Sequence, residues 1–341
     1  MKTLSYAEEQ LEYIVEQDKT KKASIEAAIK QINSAYGLGA VWSALDEIPK
    51  IAVVSTGALT LDKALGVGGL PKGRITELFG PEQTAKTTLA LTVIANIQKE
   101  GGTGAIIDVE HAIDIAYAKA IGVDVTKLLI SQPDSAEQAL EIAEALVRGG
   151  VDCVVLDSVA MLVTEAEIKG DMTDMQYAPT ARLMGKALRK LMAPIDKANC
   201  VFILINQLRD KIGGYGNPEV TPGGRSIKYM SSVRIDLRRK EQIKDDDQVY
   251  GIRVLAKVIK NKVAPPSKQA EFSVYYGKGI DRIESVVDAA FDEGVITRSG
   301  AWYKLDGEQL GQGKPNTIAR LKDDQVLLKR IEDALWVKAQ K

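Results

Sequence analysis

The chemistry of this chain starts at Gly80-Pro81-Glu82-Gln83-Thr84-Ala85-Lys86-Thr87-Thr88. An apolar run, Ile75-Thr76-Glu77-Leu78-Phe79, precedes it, and a helical pattern beginning Thr88-Leu89-Ala90-Leu91 follows. Strand, tight loop and helix in that order form a phosphate cradle. The loop N–H groups and the helix N-terminus converge on anionic oxygens. Lys86 then reaches the terminal phosphates and Thr87 offers its hydroxyl to Mg²⁺. Ala85 stands where this pattern usually has glycine. If the position needs a positive φ, its Cβ costs roughly 1–2 kcal/mol. If the position is right-handed, alanine costs little.

Other candidates end further apolar runs. Asp157 closes Cys153-Val154-Val155-Leu156, where a second Mg²⁺-organising carboxylate belongs; the alternative is a helix cap, since Ser158 follows. Asp108-Val109-Glu110-His111 ends another strand, and Glu110 is placed to orient or deprotonate a water. Asp108 points to the opposite side and is the weaker candidate. Gln207 ends the strand from Val201, where an amide can touch a γ-phosphate or its water and move on hydrolysis. A Gly-rich stretch follows, with Gly213, Gly214, Tyr215, Asn217, Gly223 and Gly224. It reads as a mobile functional loop in which Tyr215 can stack on bases, or as an ordinary long turn. Lys260 and Lys262 share one face of a strand and supply charge to a phosphate, or are solvated edge lysines.

The positioning elements follow from periodicity. Residues 6–35 carry helical spacing, with an all-polar middle at Gln17–Lys22 that allows two helices or one with a loose joint. From Ile51 to about Lys278, short apolar runs alternate with helical patterns, which predicts a mostly parallel sheet flanked by helices. The runs Val233–Leu237, Ile252–Ile259 and Ala270–Tyr275, with a turn at Asp245-Asp246-Asp247, predict an antiparallel extension. Residues 279–341 read as a small α+β module. The expected domains are thus 1–50, 51–278 and 279–341.

The 341 residues carry net charge −1, with 45% hydrophobic and 27% charged, an ordinary globular composition. No run is long enough to span a membrane. His111 is the only histidine, so no Cys/His metal cluster exists. Cys153 and Cys200 lie in strand-like runs and read as buried thiols, which favours the reducing cytosol and a cytoplasmic location. Between Arg225 and Lys268 there are twelve Lys/Arg against five Asp/Glu, either a partial local footprint for a polyanion or a solvated face with scattered ion pairs.

Together these blocks, with Gly68-Gly69-Leu70-Pro71, Ser131-Gln132-Pro133-Asp134, Asn206-Gln207-Leu208-Arg209, Lys260-Asn261-Lys262 and Gly300-Ala301-Trp302-Tyr303, resemble the bacterial RecA recombinase family over nearly the whole chain. The resemblance implies an α/β P-loop RecA-like core, an N-terminal helical polymerisation segment and a C-terminal DNA-gathering domain. It implies a DNA-dependent ATPase using ATP and Mg²⁺, forming a helical homo-oligomeric filament on single-stranded DNA and pairing it with double-stranded DNA. On this resemblance Glu110 activates water, Asp157 supports Mg²⁺ through water, and Gln207 couples ATP to a DNA loop. Asp114 and Tyr117 lie near the adenine, and Lys260 and Lys262 reach ATP from the neighbouring subunit. The DNA loops fall at about 165–182 and 208–224, with Arg182, Arg209, Lys211 and Tyr215 the leading contacts; Lys314 serves the C-terminal domain and Lys228-Tyr229 the subunit contact. The departures are Ala85, a shortened second loop with Gly213-Gly214-Tyr215, and a first loop carrying Glu165, Glu167, Asp171 and Asp174. They mark a divergent member, of phage or bacterial origin. The competing readings are an ATP-binding structural filament with little hydrolysis, motivated by Ala85, and a hexameric motor of the same core.

Overall fold

A computed structural model describes residues 6–37, 40–41, 51–171, 179–210, 219–246 and 248–339. It divides into two units, Met1–Lys50 and Ile51–Lys341. The first contains α1 (Tyr6–Tyr36), one continuous helix of 31 residues. The loose joint allowed by the polar middle does not form. Gln, Lys and Ala are good helix formers whatever their polarity, and Gly37, at φ 102, is the first breaker.

The second unit is built on a nine-stranded sheet. Its strands are β1 (Arg74–Gly80), β2 (Gly104–Asp108), β3 (Leu128–Ser131), β4 (Cys153–Asp157), β5 (Val201–Gln207), β6 (Val233–Asp245), β7 (Gln248–Asn261), β8 (Gln269–Tyr275) and β9 (Gly279–Ile280). Their order is β9-β8-β7-β6-β1-β5-β4-β2-β3. From β6 through β1 to β3 every pairing is parallel. From β6 to β9 every pairing is antiparallel, as the later runs predict. The inner parallel strands β1, β5, β4 and β2 are covered on both faces, so their residues are almost uniformly buried, whereas the edge strand β3 leaves Leu129 and Ile130 exposed.

Helix α2 (Lys86–Lys99) packs one face into a core with Leu78, Val155, Ile203 and Ile235. On the other face α3 (Ala136–Arg148) and α4 (Pro179–Lys197) bury Leu140, Val147, Leu188 and Leu191 against Ile107, Leu156 and Phe202. Ser135 caps α3 by accepting from the Gln138 N–H at 3.2 Å. Beyond β9, α5 (Arg282–Asp292), a three-stranded sheet (Ile296–Ser299, Trp302–Leu305, Glu308–Gln312), α6 (Gly313–Asp323) and α7 (Gln325–Ala339) enclose a separate core of Val286, Leu305, Leu321, Leu328 and Ile331.

Candidate nucleotide and nucleic-acid site

Strand β1 delivers the chain at Gly80, where any Cβ would stand 2.1 Å from the Leu237 carbonyl oxygen, so only glycine fits. The loop then turns through two non-glycine residues in the left-handed region, Gln83 at φ 56 and Ala85 at φ 66. Ala85 is the residue before α2, with ψ 27. The costly alternative for Ala85 is therefore the one that holds. The Lys86 ammonium donates to the carbonyls of Gly80 at 3.1 Å and Pro81 at 2.6 Å. Burial pulls the Lys86 ammonium down from its ordinary value, and Asp157, Glu110 and Glu82 push back.

The Thr87 hydroxyl donates to Asp157 Oδ2 at 2.6 Å. Burial pushes the Asp157 carboxyl up to about 6, reinforced by Glu110 and Asp108 and opposed by Thr87 and Lys86. Two oxygen donors side by side next to a phosphate cradle fit Mg²⁺, which binds few protein ligands and keeps waters and phosphate oxygens. Among the described residues no group of three His, Cys, Asp or Glu side chains forms a closed metal cage.

Glu110 follows β2 and enters the same cleft. Its Oε1 accepts from the Ser158 hydroxyl at 2.5 Å and from Gln207 Nε2 at 2.9 Å. Ends of three parallel strands thus meet on one carboxylate oxygen. Asp108, at the end of β2, is turned toward the segment behind it. Its carboxylate accepts from the N–H groups of Ala112 and Ile113, each at 3.2 Å, and from Gln132 Nε2 at 2.9 Å, fixing the segment that carries Glu110. The cleft, about 460 Å³, is lined by Glu82 through Thr88 with Glu110, Asp157, Ile205 and Gln207. Beside it Thr88 and Tyr117 share a hydroxyl hydrogen bond of 3.0 Å. Asp114 caps the Tyr117 helix, accepting its N–H at 2.9 Å. A larger groove of about 780 Å³ lies elsewhere, lined by Lys63, Arg253, Asp288, Glu293 and Trp336. Its charges pair with one another, Lys63 with Glu293 at 2.9 Å and Arg253 with Asp288 at 2.7 Å.

The remaining sequence candidates divide. Lys260 and Lys262 do not line the cleft of their own chain. Their ammonium groups donate to backbone carbonyls, Lys260 to Lys228 at 2.5 Å and Tyr229 at 3.0 Å, Lys262 to Tyr229 at 3.3 Å. Arg182 lies exposed in the first turns of α4, and Arg209 donates to the Ala160 carbonyl at 3.0 Å. Gly223 and Gly224 both take φ 82. Lys211, Gly213, Gly214, Tyr215 and Asn217 lie outside the described residues. Lys314 is ion-paired, 2.7 Å from Glu284 and 2.6 Å from Asp288. Partners on α5 hold it where the sequence shows only a lysine in a turn. Sequence reading missed Ser158, whose signal was only its place directly after Asp157.

Strand, phosphate loop and helix beside acidic strand ends define the class, a P-loop nucleotide-binding α/β protein. A family profile described as the RecA N-terminal domain matches residues 23–281, and one described as the RecA C-terminal domain matches 284–340. The chain is 52% identical over 320 residues to Protein RecA of Clostridioides difficile, covering 93% of this chain and 92% of that protein. It is 51% identical over 318 residues to Protein RecA of Ruminococcus albus, covering 92% and 80%. It is 51% identical over 319 residues to Protein RecA of Thioalkalivibrio sulfidiphilus, covering 92% and 93%. The chain belongs to the RecA family.

Proposed function

We propose that this protein is an ATP-dependent homologous-recombination protein. It forms a helical filament on single-stranded DNA, pairs that strand with duplex, and hydrolyses ATP in a DNA-stimulated manner in the cytoplasm. The observation that carries the reading is the shared carboxylate oxygen of Glu110, held by Ser158 at 2.5 Å and by Gln207 at 2.9 Å. Gln207 also begins the segment leading to the Gly-rich stretch. A change at the phosphate end of β5 therefore reaches that stretch through one side chain.

In this mechanism the loop N–H groups and Lys86 hold the phosphates, exchanging the Gly80 and Pro81 carbonyls for phosphate oxygens. Thr87 and Asp157 would hold Mg²⁺, which when bound neutralises phosphate charge. Glu110 has one oxygen tied down and presents the other to the attacking water. Thr88 and Tyr117 form the wall beside the base. Lys260 and Lys262 serve the cleft of a neighbouring subunit in the filament. Loop segments about 165–182 and 208–224 contact DNA through Arg182, Arg209 and backbone N–H groups. Lys314, held between Glu284 and Asp288, belongs to the C-terminal module that gathers duplex DNA.

Phosphate release is measured with Mg²⁺-ATP, with and without single-stranded DNA, using Lys86→Ala as control. DNA stimulation that vanishes in the control supports the reading. Nucleotide-dependent DNA binding without hydrolysis would replace it with a structural filament.

A further inference from the structure

The three charged or amide side chains behind the cleft are buried and are not used by the mechanism above. Glu77 on β1 and Asn206 on β5 are 0% exposed, and Arg234 on β6 is 8% exposed. The sheet register sets Glu77 beside Arg234, and Phe79 beside Asn206. Arg234 Nε is ion-paired with Glu77 Oε2, and its guanidinium lies 4.8 Å over the Phe79 ring. Glu77 Oε1 accepts from Asn206 Nδ2 at 3.1 Å. The second Nδ2 hydrogen goes to the Pro222 carbonyl at 3.0 Å. Asn206 Oδ1 accepts from the Gln207 N–H at 3.1 Å. The amide orientation is fixed, because turning it would aim Oδ1 at a carboxylate and a carbonyl together.

Pro222 closes the base of the segment that Gln207 opens. Gly223 and Gly224 follow it, both at φ 82. A Cβ at Gly223 would strike Ile227 Cδ1 at 2.4 Å, and one at Gly224 would strike Ala181 Cβ at 2.8 Å. A second tie holds the outer part of that base. Arg238 makes two parallel bonds to Glu219, at 2.8 and 2.5 Å, and donates to Asp236 at 2.7 Å. Arg209 and Asp210 pair with Val220 and Glu219 between the two ties. The base is thus fastened to β6 at one point and to the P-loop strand, through Asn206, at the other.

We propose that Asn206 is a positioning residue that couples the nucleotide cleft to the DNA-contacting segment, its amide bridging Glu77 of the P-loop strand to the Pro222 carbonyl while fixing the backbone of Gln207. This rests on the proposed function, since it supposes that DNA stimulates hydrolysis. Glu77 lies three residues before Gly80, so a shift of the loop under phosphate moves the carboxylate that Asn206 grips. Arg234 is ion-paired with Glu77. The amide adds direction, because it alone of the three groups reaches Pro222.

Two variants of the full chain test this, Asn206→Ala and the exchange Asn206→Asp with Glu77→Gln. The exchange keeps one anion and one amide in the Glu77–Asn206 pair, but sets a carboxylate against the Pro222 carbonyl. In both, DNA-free kcat and the KM for ATP should stay within about twofold of the parent, while the ratio of DNA-stimulated to DNA-free kcat falls about tenfold, the scale of a typical coupling between sites. A folded variant, judged by its circular-dichroism melt, that keeps the parental ratio overturns the proposal. So does an equal loss of DNA-free and stimulated rates. If Asn206→Ala does not fold, the exchange decides alone, and failure of both to fold would make Asn206 structural and overturn the proposal too. A parent without DNA stimulation removes both the proposal and the function it rests on. A stimulated parent whose variants match it removes the proposal only.

Discussion

Replacing Ala85 by glycine and by valine reads the backbone of the phosphate loop directly. Ala85 sits at φ 66 and ψ 27, in the left-handed region. An L-residue there costs roughly 1–2 kcal/mol. Glycine removes that cost but gives back about 0.5–1 kcal/mol in chain entropy. It also loses a half-buried methyl packed beside the α2 core, worth roughly 0.4 kcal/mol at half of the value for a buried CH₂. The terms nearly cancel, so Ala85→Gly should move stability by less than about 1 kcal/mol, with a small gain the central value. Valine adds branching at Cβ where β-branched residues are rare, and should lose about 1–2 kcal/mol relative to alanine. Urea unfolding of parent and both variants measures the series. ATP affinity in Ala85→Gly should remain within about threefold, because the loop shape is the same. A valine variant as stable as the parent, together with a glycine variant clearly weaker, would refute the left-handed assignment and the strain built on it.

Lys86→Ala should lower ATP turnover by about a hundredfold or more, as expected for removing a charge aimed at the phosphates, read by phosphate release. Glu110→Gln should retain ATP binding, since a glutamine oxygen still accepts from Ser158 and Gln207, while hydrolysis falls by about 10²-fold; fluorescent-nucleotide titration beside a turnover assay separates the two. Lys314→Met should destabilise the C-terminal module by about 1–3 kcal/mol, leaving Glu284 and Asp288 short of a cation in a partly buried network, seen as earlier proteolysis of residues beyond Gly279. Burial raises the Glu284 carboxyl, but Lys314, Tyr275 and Ser273 outweigh it and hold the group below its ordinary 4.5. Its folded value is depressed, so its contribution is present above pH 4.5 and is lost as pH falls through the lower folded value. Melting of the parent should therefore soften in acid more steeply than melting of Glu284→Gln.

The parallel strands were legible because strands buried on both faces are written as unbroken apolar runs, as Cys153–Leu156 and Val201–Ile205 show. Their terminal acids and amide were legible for the same reason, since the polar residue ending such a run marks the sheet edge where ligands bind. Partnerships across strands were not. Ser158 reaches Glu110 over 48 positions, Gln207 reaches Glu110 over 97, and Asn206 reaches Glu77 over 129. Those contacts depend on strand order, which periodicity does not encode. The partners of Lys314 were hidden for the same reason, as Glu284 and Asp288 are brought to it only by the packing of α5 on α6. The conformation of Ala85 was undecidable from residue type because the loop, not the alanine, sets its φ.

Strand β6 explains why these separate regions share one fate. It is the strand at which the sheet changes direction, parallel to β1 on one side and antiparallel to β7 on the other. Alternate residues of a strand share a face, so Arg234, Asp236 and Arg238 line up along one side. Arg234 serves the buried Glu77 of the P-loop strand, while Arg238 with Asp236 fastens Glu219. Across the hairpin Lys260 stands opposite Arg234 and holds the carbonyls of Lys228 and Tyr229. The phosphate-loop strand, the Glu219 end of the Gly-rich segment and the Lys228–Tyr229 backbone are therefore tied to neighbouring positions of a single strand. Because packed interiors yield discretely rather than by gradual deformation, a shift of β6 relative to β1 cannot be absorbed at one of these ties without loading the other two.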